Sequence, residues 1–229
     1  MIGYHFTNEK LRDGRQIPPV GVWLLHDGPV VPCKSGLHAS EHLYEAIEYA
    51  SGCRLHRVEL EGDLVSYGDP IDKWVGRRRK ILASIDATAL LQEFARWCAL
   101  RVIDLWDAPA IVRDYLTMGD ESLREAARDA VVATVAVVCA DPWDSAQAAR
   151  YASLVAVGAT AWDSVHAARY ASWAAAGAAA GAAAREAAVA AGNAAVAAGN
   201  AAQDAQRVKF ADMVTAIMPA ISAAMADGV

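Results

Sequence analysis

Apolar and polar side chains alternate along several short segments in the first third of the chain. The clearest is 55–60, where Leu, Arg and Glu alternate with His, Val and Leu, a period of two that indicates a β-strand. The turn sequence Asp-Gly-Pro separates two more apolar runs. The predicted strands are 4–7, 20–25, 30–31, 55–60 and 79–85.

One helix is predicted among these strands, at 40–50. Ser40 is a preferred N-cap residue, and the Ser-Gly pair at 51–52 would end the helix. Its apolar positions recur at helical spacing and share one face: Leu43, Ala46, Ile47 and Ala50. Strands and helix together predict a mixed α/β module over 1–86.

Helical periodicity replaces the alternation from Asp86 onward, and the predicted linkers are only two to four residues long. Pro at a helix start and Gly after its end punctuate this region. The predicted helices are 87–105 after the N-cap Asp86, 109–118 before Gly119, and a third from Asp120 or Glu121 to Cys139. The fold class is therefore α+β, with an all-α helical array over 87–229.

A 19-residue repeat lies inside this array: WDSAQAARYAS at 143–153 recurs as WDSVHAARYAS at 162–172. The residues before each copy resemble a capping box, so each copy is expected to open its own helix. The two helices are predicted to pack side by side, with Gly158 ending the first. The repeated aromatic residues are core residues or interface anchors in this interpretation: Trp143, Tyr151, Trp162 and Tyr170.

Four glycines follow in a stretch interpreted as one helix: Gly177, Gly181, Gly192 and Gly199. Glycine inside a helix costs about 0.8–1 kcal/mol relative to alanine. The four positions fall near one stripe of that helix, which would let another helix approach closely. We expect self-association through this stripe, with packing inside the chain as the alternative.

Composition supports the division into two parts, because 8 alanines fall in residues 1–100 and 44 in 101–229. The net charge of −6 argues against nucleic-acid binding by bulk electrostatics. The basic run 77–80 is interpreted as a solvated edge, with a nucleotide or phosphate role as the alternative. The chain begins without a signal-peptide pattern, and the apolar run 173–184 is too short for a membrane span, so a cytoplasmic protein is expected.

Two motifs in the first module carry a resemblance to a known fold. Tyr-His-Phe-Thr at 4–7 is followed by Gly-Leu-His-Ala-Ser at 36–40, and then by Ala-Ile-Glu-Tyr at 46–49 ahead of a strand. This order resembles the ADP-ribosyltransferase fold, in which a strand histidine binds the ribose of NAD. The chain also looks like phage or prophage proteins that join such a module to an alanine-rich helical tail.

The resemblance implies NAD as cofactor and a set of ligand-binding residues: His5, Thr7, Gly36, His38, Ser40 and Tyr49. Glu59 and Glu61 are the candidates for the catalytic acid, although both precede its usual place in that fold, and His38 stands where tyrosine is common. The expected function is binding of NAD or an ADP-ribose-like nucleotide. Whether the module also transfers ADP-ribose to a host target is left open.

Two alternatives of other classes remain at this stage. A zinc site could use residues that are close in sequence but lack a paired Cys-x-x-Cys: Cys33, His38, His42, Cys53 and His56. The chain could instead be a non-enzymatic anti-defence protein that self-associates, or docks on a host defence complex, through its helical region. Motifs for nucleophilic hydrolysis and for phosphate-binding loops are absent from the sequence.

Overall fold

The structure is a computed structural model that describes residues 1–135, 145–158, 164–186 and 193–226. These residues form two compact units, one made of Met1–Thr88 with Phe210–Val229 and the other of Ala89–Lys209. The first unit thus runs two residues past the predicted module of 1–86 and also takes in the described residues from Phe210 onward. The two units are described separately below.

Over Met1–Thr88, the first unit contains seven strands and one short helix. They are β1 Ile2–Thr7, β2 Trp23–Leu25, β3 Leu37–Ala39, α1 Leu43–Glu48, β4 Arg54–Glu61, β5 Val65–Tyr67, β6 Lys73–Gly76 and β7 Arg78–Asp86. A four-stranded antiparallel sheet has the order β1-β4-β7-β2, and a three-stranded antiparallel sheet has the order β3-β6-β5. The mixed α+β class predicted for the chain is confirmed.

The core of this unit lies where both sheets contribute apolar side chains. Leu37 and Ala39 from β3 pack with Val58 and Leu60 from β4 and with Ile81 from β7. These β4 and β7 residues occupy alternate positions along their strands, as expected for strands that bury one face. A bulge between Arg57 and Val58 shifts the register of β4 against β7.

Two predictions for this unit need correction, and three strands were missed. Ser40 does not cap a helix: it is buried and exchanges backbone hydrogen bonds of 2.8 and 3.0 Å with Tyr4, and α1 begins only at Leu43. Residues 30–31 do not form a strand, because Val31 makes only an isolated bridge to Ser35, and β2 pairs with β7 instead. The strands β3, β5 and β6 were not predicted.

The second unit is helical. Its elements are α2 Thr88–Leu100, α3 Ala110–Met118, α4 Arg124–Val135, α5 Ser145–Gly158, α6 Ser164–Glu186 and the first part of α7 Asn193–Ala226, with 3-10 turns at Ile103–Leu105 and Glu121–Leu123. The Asp86 carboxylate accepts a 2.9 Å hydrogen bond from the Thr88 N–H, and Gly119 ends α3 in the left-handed conformation, both as predicted. The predicted helix end at Cys139 lies outside the described residues.

The helices α5 and α6 pack side by side, as the repeat predicted. Both helices bury alanines: Ala152 and Ala156 on α5 and Ala168 and Ala171 on α6 are all at most 1% exposed. Tyr151 and Tyr170 are 48% and 36% exposed, so neither is a core residue. The other repeated aromatic residues, Trp143 and Trp162, lie outside the described residues.

The glycines do not share one helix. Gly177 and Gly181 lie on α6, Gly199 lies on α7, and Gly192 falls outside the described residues. A Cβ added to Gly177 would meet no atom within 4 Å in the described structure, whereas one on Gly199 would lie 3.4 Å from the Cβ of Ala180. Within the described single chain, nothing packs on Gly177. None of the helices over the described ranges is long and apolar enough to cross a membrane.

Candidate functional site

A cleft of about 500 Å³ opens in the first unit and receives side chains from both sheets. It is called the histidine cleft below, after His5 on β1 and His38 on β3. Its remaining polar wall comes from the loops around residues 12–15 and 33–36, from Tyr49 at the end of α1, and from two buried cations. Its lining residues include Thr7, Arg12, Asp13, Arg15, Cys33, Lys34, Gly36, Ser40, Tyr49, Lys73 and Arg79.

The structure brings together all six residues that the sequence suggested for ligand binding. His5 and Thr7 project from β1, His38 from β3, and Gly36, Ser40 and Tyr49 from the adjoining segments. These residues are spread over 45 positions of sequence and over elements of both sheets, so their meeting depends on the tertiary fold.

Gly36 is required by the backbone at the rim of the cleft. Its φ of +115° lies in a region that residues with a Cβ rarely adopt. A Cβ at this position would also lie only 2.5 Å from the Val75 Cγ1 atom on β6. Glycine therefore lets β3 start directly beside β6, which holds His38 opposite Val75.

The imidazoles of His5 and His38 are held neutral. Burial, and after it the charges of Lys73 and Arg79, lower the pKa of His38 to about 4. The pKa of His5 is lowered well below 6.5 by burial first and then by Arg79. A neutral imidazole offers one donor and one acceptor, which suits pairing with hydroxyl groups of a ligand.

His56 supports the wall of the cleft without lining it. His56 on β4 stands directly opposite His5 on β1, and its Nε2 lies 2.8 Å from the Thr7 Oγ1 in a buried hydrogen bond. Burial, Arg79 and Arg54 lower the pKa of His56 to about 4. The hydrogen bond fixes Thr7 at the edge of the cleft.

Tyr49 links the helix to the second sheet. Its hydroxyl donates a 2.5 Å hydrogen bond to the Asp72 Oδ2, and burial followed by this bond raises the pKa of the phenol, so the hydroxyl keeps its proton. The ammonium group of Lys73 lies 3.8 Å from the centroid of the Tyr49 ring and 4.6 Å from that of Tyr67. These two cation–π contacts hold the lysine against the cleft.

The two glutamates suggested as catalytic acids lie elsewhere. Glu59 forms an ion pair of 2.5 Å with Lys80, and Glu61 one of 2.5 Å with Arg78. Neither lines the histidine cleft. The one carboxylate that does is Asp13, which is paired with Arg15 at 2.7 Å and is half-exposed.

Sequence reasoning missed Lys73 and Arg79. Arg79 belongs to the basic run that was interpreted as a solvated edge, but its side chain is buried. The alternation of β7 carried the signal: Arg79, Ile81 and Ala83 are buried, whereas Lys80 between them is not. Extending the apolar alternation backward from Ile81 would have placed Arg79 on the inner face of the strand.

The potential zinc ligands do not assemble. Cys33 lies exposed in a loop, and His42 precedes α1 with an exposed side chain. Within the ranges that the structure describes, no group of three or more His, Cys, Asp or Glu residues is placed to hold a metal ion.

A family model described as a domain of unknown function (DUF7666) matches residues 1–93, a span that contains every residue lining the histidine cleft. No curated protein and no solved structure matches the chain significantly.

Proposed function

We propose that the histidine cleft binds NAD or another ADP-ribose-like nucleotide, and that it binds this ligand without transferring ADP-ribose. The observation that carries the proposal is the convergence of His5 and His38, from different sheets, on one cleft of about 500 Å³. Ligand pockets in proteins typically measure about 300–1,000 Å³, so the cleft has room for a large part of such a nucleotide.

The side chains of the cleft match the parts of a nucleotide. Neutral His5 and His38 can each exchange a hydrogen bond with a ribose hydroxyl. Tyr49 offers an aromatic ring, and the Thr7 hydroxyl is positioned by His56. The resemblance of the Tyr-His-Phe-Thr and Gly-Leu-His-Ala-Ser motifs to the ADP-ribosyltransferase fold favours the same class of ligand.

The arrangement of carboxylates argues for binding rather than turnover. Departure of nicotinamide leaves positive charge on the ribose, and a nearby carboxylate would stabilise that charge. Glu59 and Glu61 are engaged with Lys80 and Arg78 away from the cleft, and Asp13 is engaged with Arg15. The cleft therefore offers the transferred ribose no unpaired carboxylate among its lining residues.

Thermal unfolding with NAD and with ADP-ribose tests the binding. A ligand at 100 times its dissociation constant should add about 2.7 kcal/mol to the free energy of unfolding. His5→Ala should remove this gain and remain folded. His42→Ala is the matched control, because His42 is exposed and lies outside the cleft, and it should keep the full gain.

Two results would contradict the proposal. If millimolar NAD and ADP-ribose both leave the unfolding temperature of the wild type unchanged, the cleft is not a site for these nucleotides. If labelled NAD incubated with a cell lysate yields labelled macromolecules with the wild type but not with His5→Ala, the protein is a transferase.

A further inference from the structure

Two cationic side chains are buried in the wall of the histidine cleft. Lys73 is 5% exposed and Arg79 is 6% exposed, and both line the cleft. A charge removed from water is strongly disfavoured unless an opposite charge and hydrogen bonds compensate it. Their burial therefore raises the question of what balances two positive charges.

The described part of the protein supplies little compensation. Arg79 donates one hydrogen bond of 2.6 Å from Nη1 to the His38 carbonyl oxygen, although a guanidinium has five N–H donors. No ion pair found among the described residues involves Arg79 or Lys73. Burial accordingly lowers the pKa of Arg79 to about 10, with Asp13 acting only weakly in the opposite direction.

Asp72 precedes Lys73 in the chain but does not pair with it. The Asp72 Oδ2 accepts the hydrogen bond from the Tyr49 hydroxyl, and its buried Oδ1 has no hydrogen-bond partner in the described structure. The lysine ammonium is held by the faces of Tyr49 and Tyr67 instead. This arrangement fixes the position of the charge without neutralising it.

The lining of the cleft as a whole also carries an excess of positive charge. Its lining residues include five cationic side chains and one carboxylate: Arg12, Arg15, Lys34, Lys73 and Arg79 against Asp13. This excess stands out in a chain whose net charge is −6. A cleft with focused positive potential attracts anions of matching size.

We propose that Arg79 and Lys73 form a binding site for a phosphate or diphosphate group inside the histidine cleft. The planar fork of Arg79 can pair two phosphate oxygens at once, and Lys73 supplies a point charge. Arg79 donates its hydrogen bond to the His38 carbonyl oxygen on β3, and Lys73 lies on β6, the strand that pairs with β3, so both cations border the strand that carries His38. As an assignment of the charged part of the ligand, this inference rests on the proposed nucleotide function, but it can be tested with an anion alone.

The experiment measures binding of inorganic pyrophosphate, ADP-ribose and adenosine to the full chain by calorimetry, at low and at high salt. Wild type should bind pyrophosphate and ADP-ribose, and should bind adenosine at least about tenfold more weakly than ADP-ribose, because a hydrogen bond to a charged group contributes more than a neutral one. Raising the salt concentration should weaken the binding of pyrophosphate more than the binding of adenosine.

Lys73→Met and Arg79→Lys are the test variants. Lys73→Met keeps much of the side-chain length and removes the charge, while Arg79→Lys keeps the charge and removes the fork. Each substitution should lower the affinity for pyrophosphate and for ADP-ribose at least about tenfold and leave the affinity for adenosine unchanged. Lys80→Met is the control, because Lys80 follows Arg79 on β7 but pairs with Glu59 outside the cleft, and its binding should match the wild type.

Stability provides an independent measurement. If Lys73 is present to bind an anion, Lys73→Met should unfold at the same temperature as the ligand-free wild type or higher, since an uncompensated buried charge is removed. A lower unfolding temperature with unchanged pyrophosphate affinity would show that Lys73 only supports the fold, and would overturn the inference.

The outcomes separate this inference from the proposed function. One outcome is that pyrophosphate binding depends on Lys73 and Arg79, that adenosine does not bind, and that ADP-ribose binds no more tightly than pyrophosphate. In that case the anion site stands and the nucleotide proposal fails. If ADP-ribose binds the wild type and both variants equally, the nucleotide proposal stands and the anion site is overturned. If the wild type binds neither pyrophosphate nor ADP-ribose, both the anion site and the nucleotide proposal are overturned.

Discussion

Among single residues, His56 best shows how burial determines chemistry. Its side chain is 1% exposed, its Nε2 is bonded to Thr7, and its buried Nδ1 has no hydrogen-bond partner in the described structure. The histidine is therefore neutral in the folded protein down to a pH of about 4. In the unfolded chain the imidazole has its ordinary pKa of about 6.5.

This difference predicts an acid-dependent loss of stability. Between pH 6.5 and pH 4 the unfolded state binds one more proton at His56 than the folded state, so the free energy of unfolding falls as the pH falls. The shift to a pKa of about 4 corresponds to roughly 3 kcal/mol over this window. Above pH 6.5 the contribution of His56 is constant.

Urea unfolding of wild type and His56→Gln from pH 4 to pH 7 measures the effect. The glutamine amide can still reach Thr7 but does not titrate, so the variant should lose about 3 kcal/mol less than the wild type across the window. Parallel curves for the two proteins would mean that the pKa of His56 is the same in the folded and the unfolded chain.

At the scale of single elements, α6 shows that a sequence pattern can suggest a contact that the fold does not make. The glycine spacing predicted one stripe on one helix, yet α6 ends at Glu186 and α7 begins at Asn193. Gly177 is exposed and faces open space, so its cost to the helix is not offset by a neighbour in the described structure. Self-association through the stripe remains a prediction that Gly177 can test.

Gly177→Ala should stabilise the protein by about 0.8–1 kcal/mol, because alanine has the higher helix propensity and its methyl group meets no atom within 4 Å. Gly199→Ala is the matched comparison and should gain less, since its Cβ would lie 3.4 Å from Ala180. Thermal unfolding with light scattering checks both. A Gly177→Ala protein with lower stability and lower mass would instead show that a second subunit packs on this glycine.

On the scale of the whole molecule, the chain is not divided simply in sequence order. Phe210–Val229 groups with Met1–Thr88 rather than with the helices that precede it in the chain. Phe210 is fully buried, and Met213 and Val214 are at most 9% exposed. The family match over residues 1–93 therefore covers the cleft but leaves out a buried part of the same unit.

The core role of this last segment predicts a large mutational effect. Phe210→Ala should lower the free energy of unfolding by about 3–5 kcal/mol, the usual range for removing a buried aromatic side chain. Val208→Ala on the same helix is the control, and with 62% exposure it should change stability little. If urea unfolding shows that Phe210→Ala changes stability as little as Val208→Ala does, residues near 210 do not contribute to a core.

Local patterns in the sequence by themselves determined much of the secondary structure. The alternation at 55–60 and 79–85 predicted β4 and β7 nearly to their ends, and Asp86, Pro109 and Gly119 marked helix limits correctly. These signals work because strand alternation, capping and left-handed helix ends depend on neighbouring residues alone. Short sequence motifs likewise identified the six candidate ligand-binding residues.

Only the tertiary structure decided how the site is built. The three-residue strands β3 and β5 carry too little pattern to be recognised, and β5 is exposed along its whole length, so their pairing with β6 required the folded chain. A run of basic residues indicates a solvent-exposed segment unless its strand partners are known. For this reason the sequence predicted that Arg79 is exposed, although it is buried. Burial and charge balance arise from contacts between residues distant in sequence, which local periodicity does not encode.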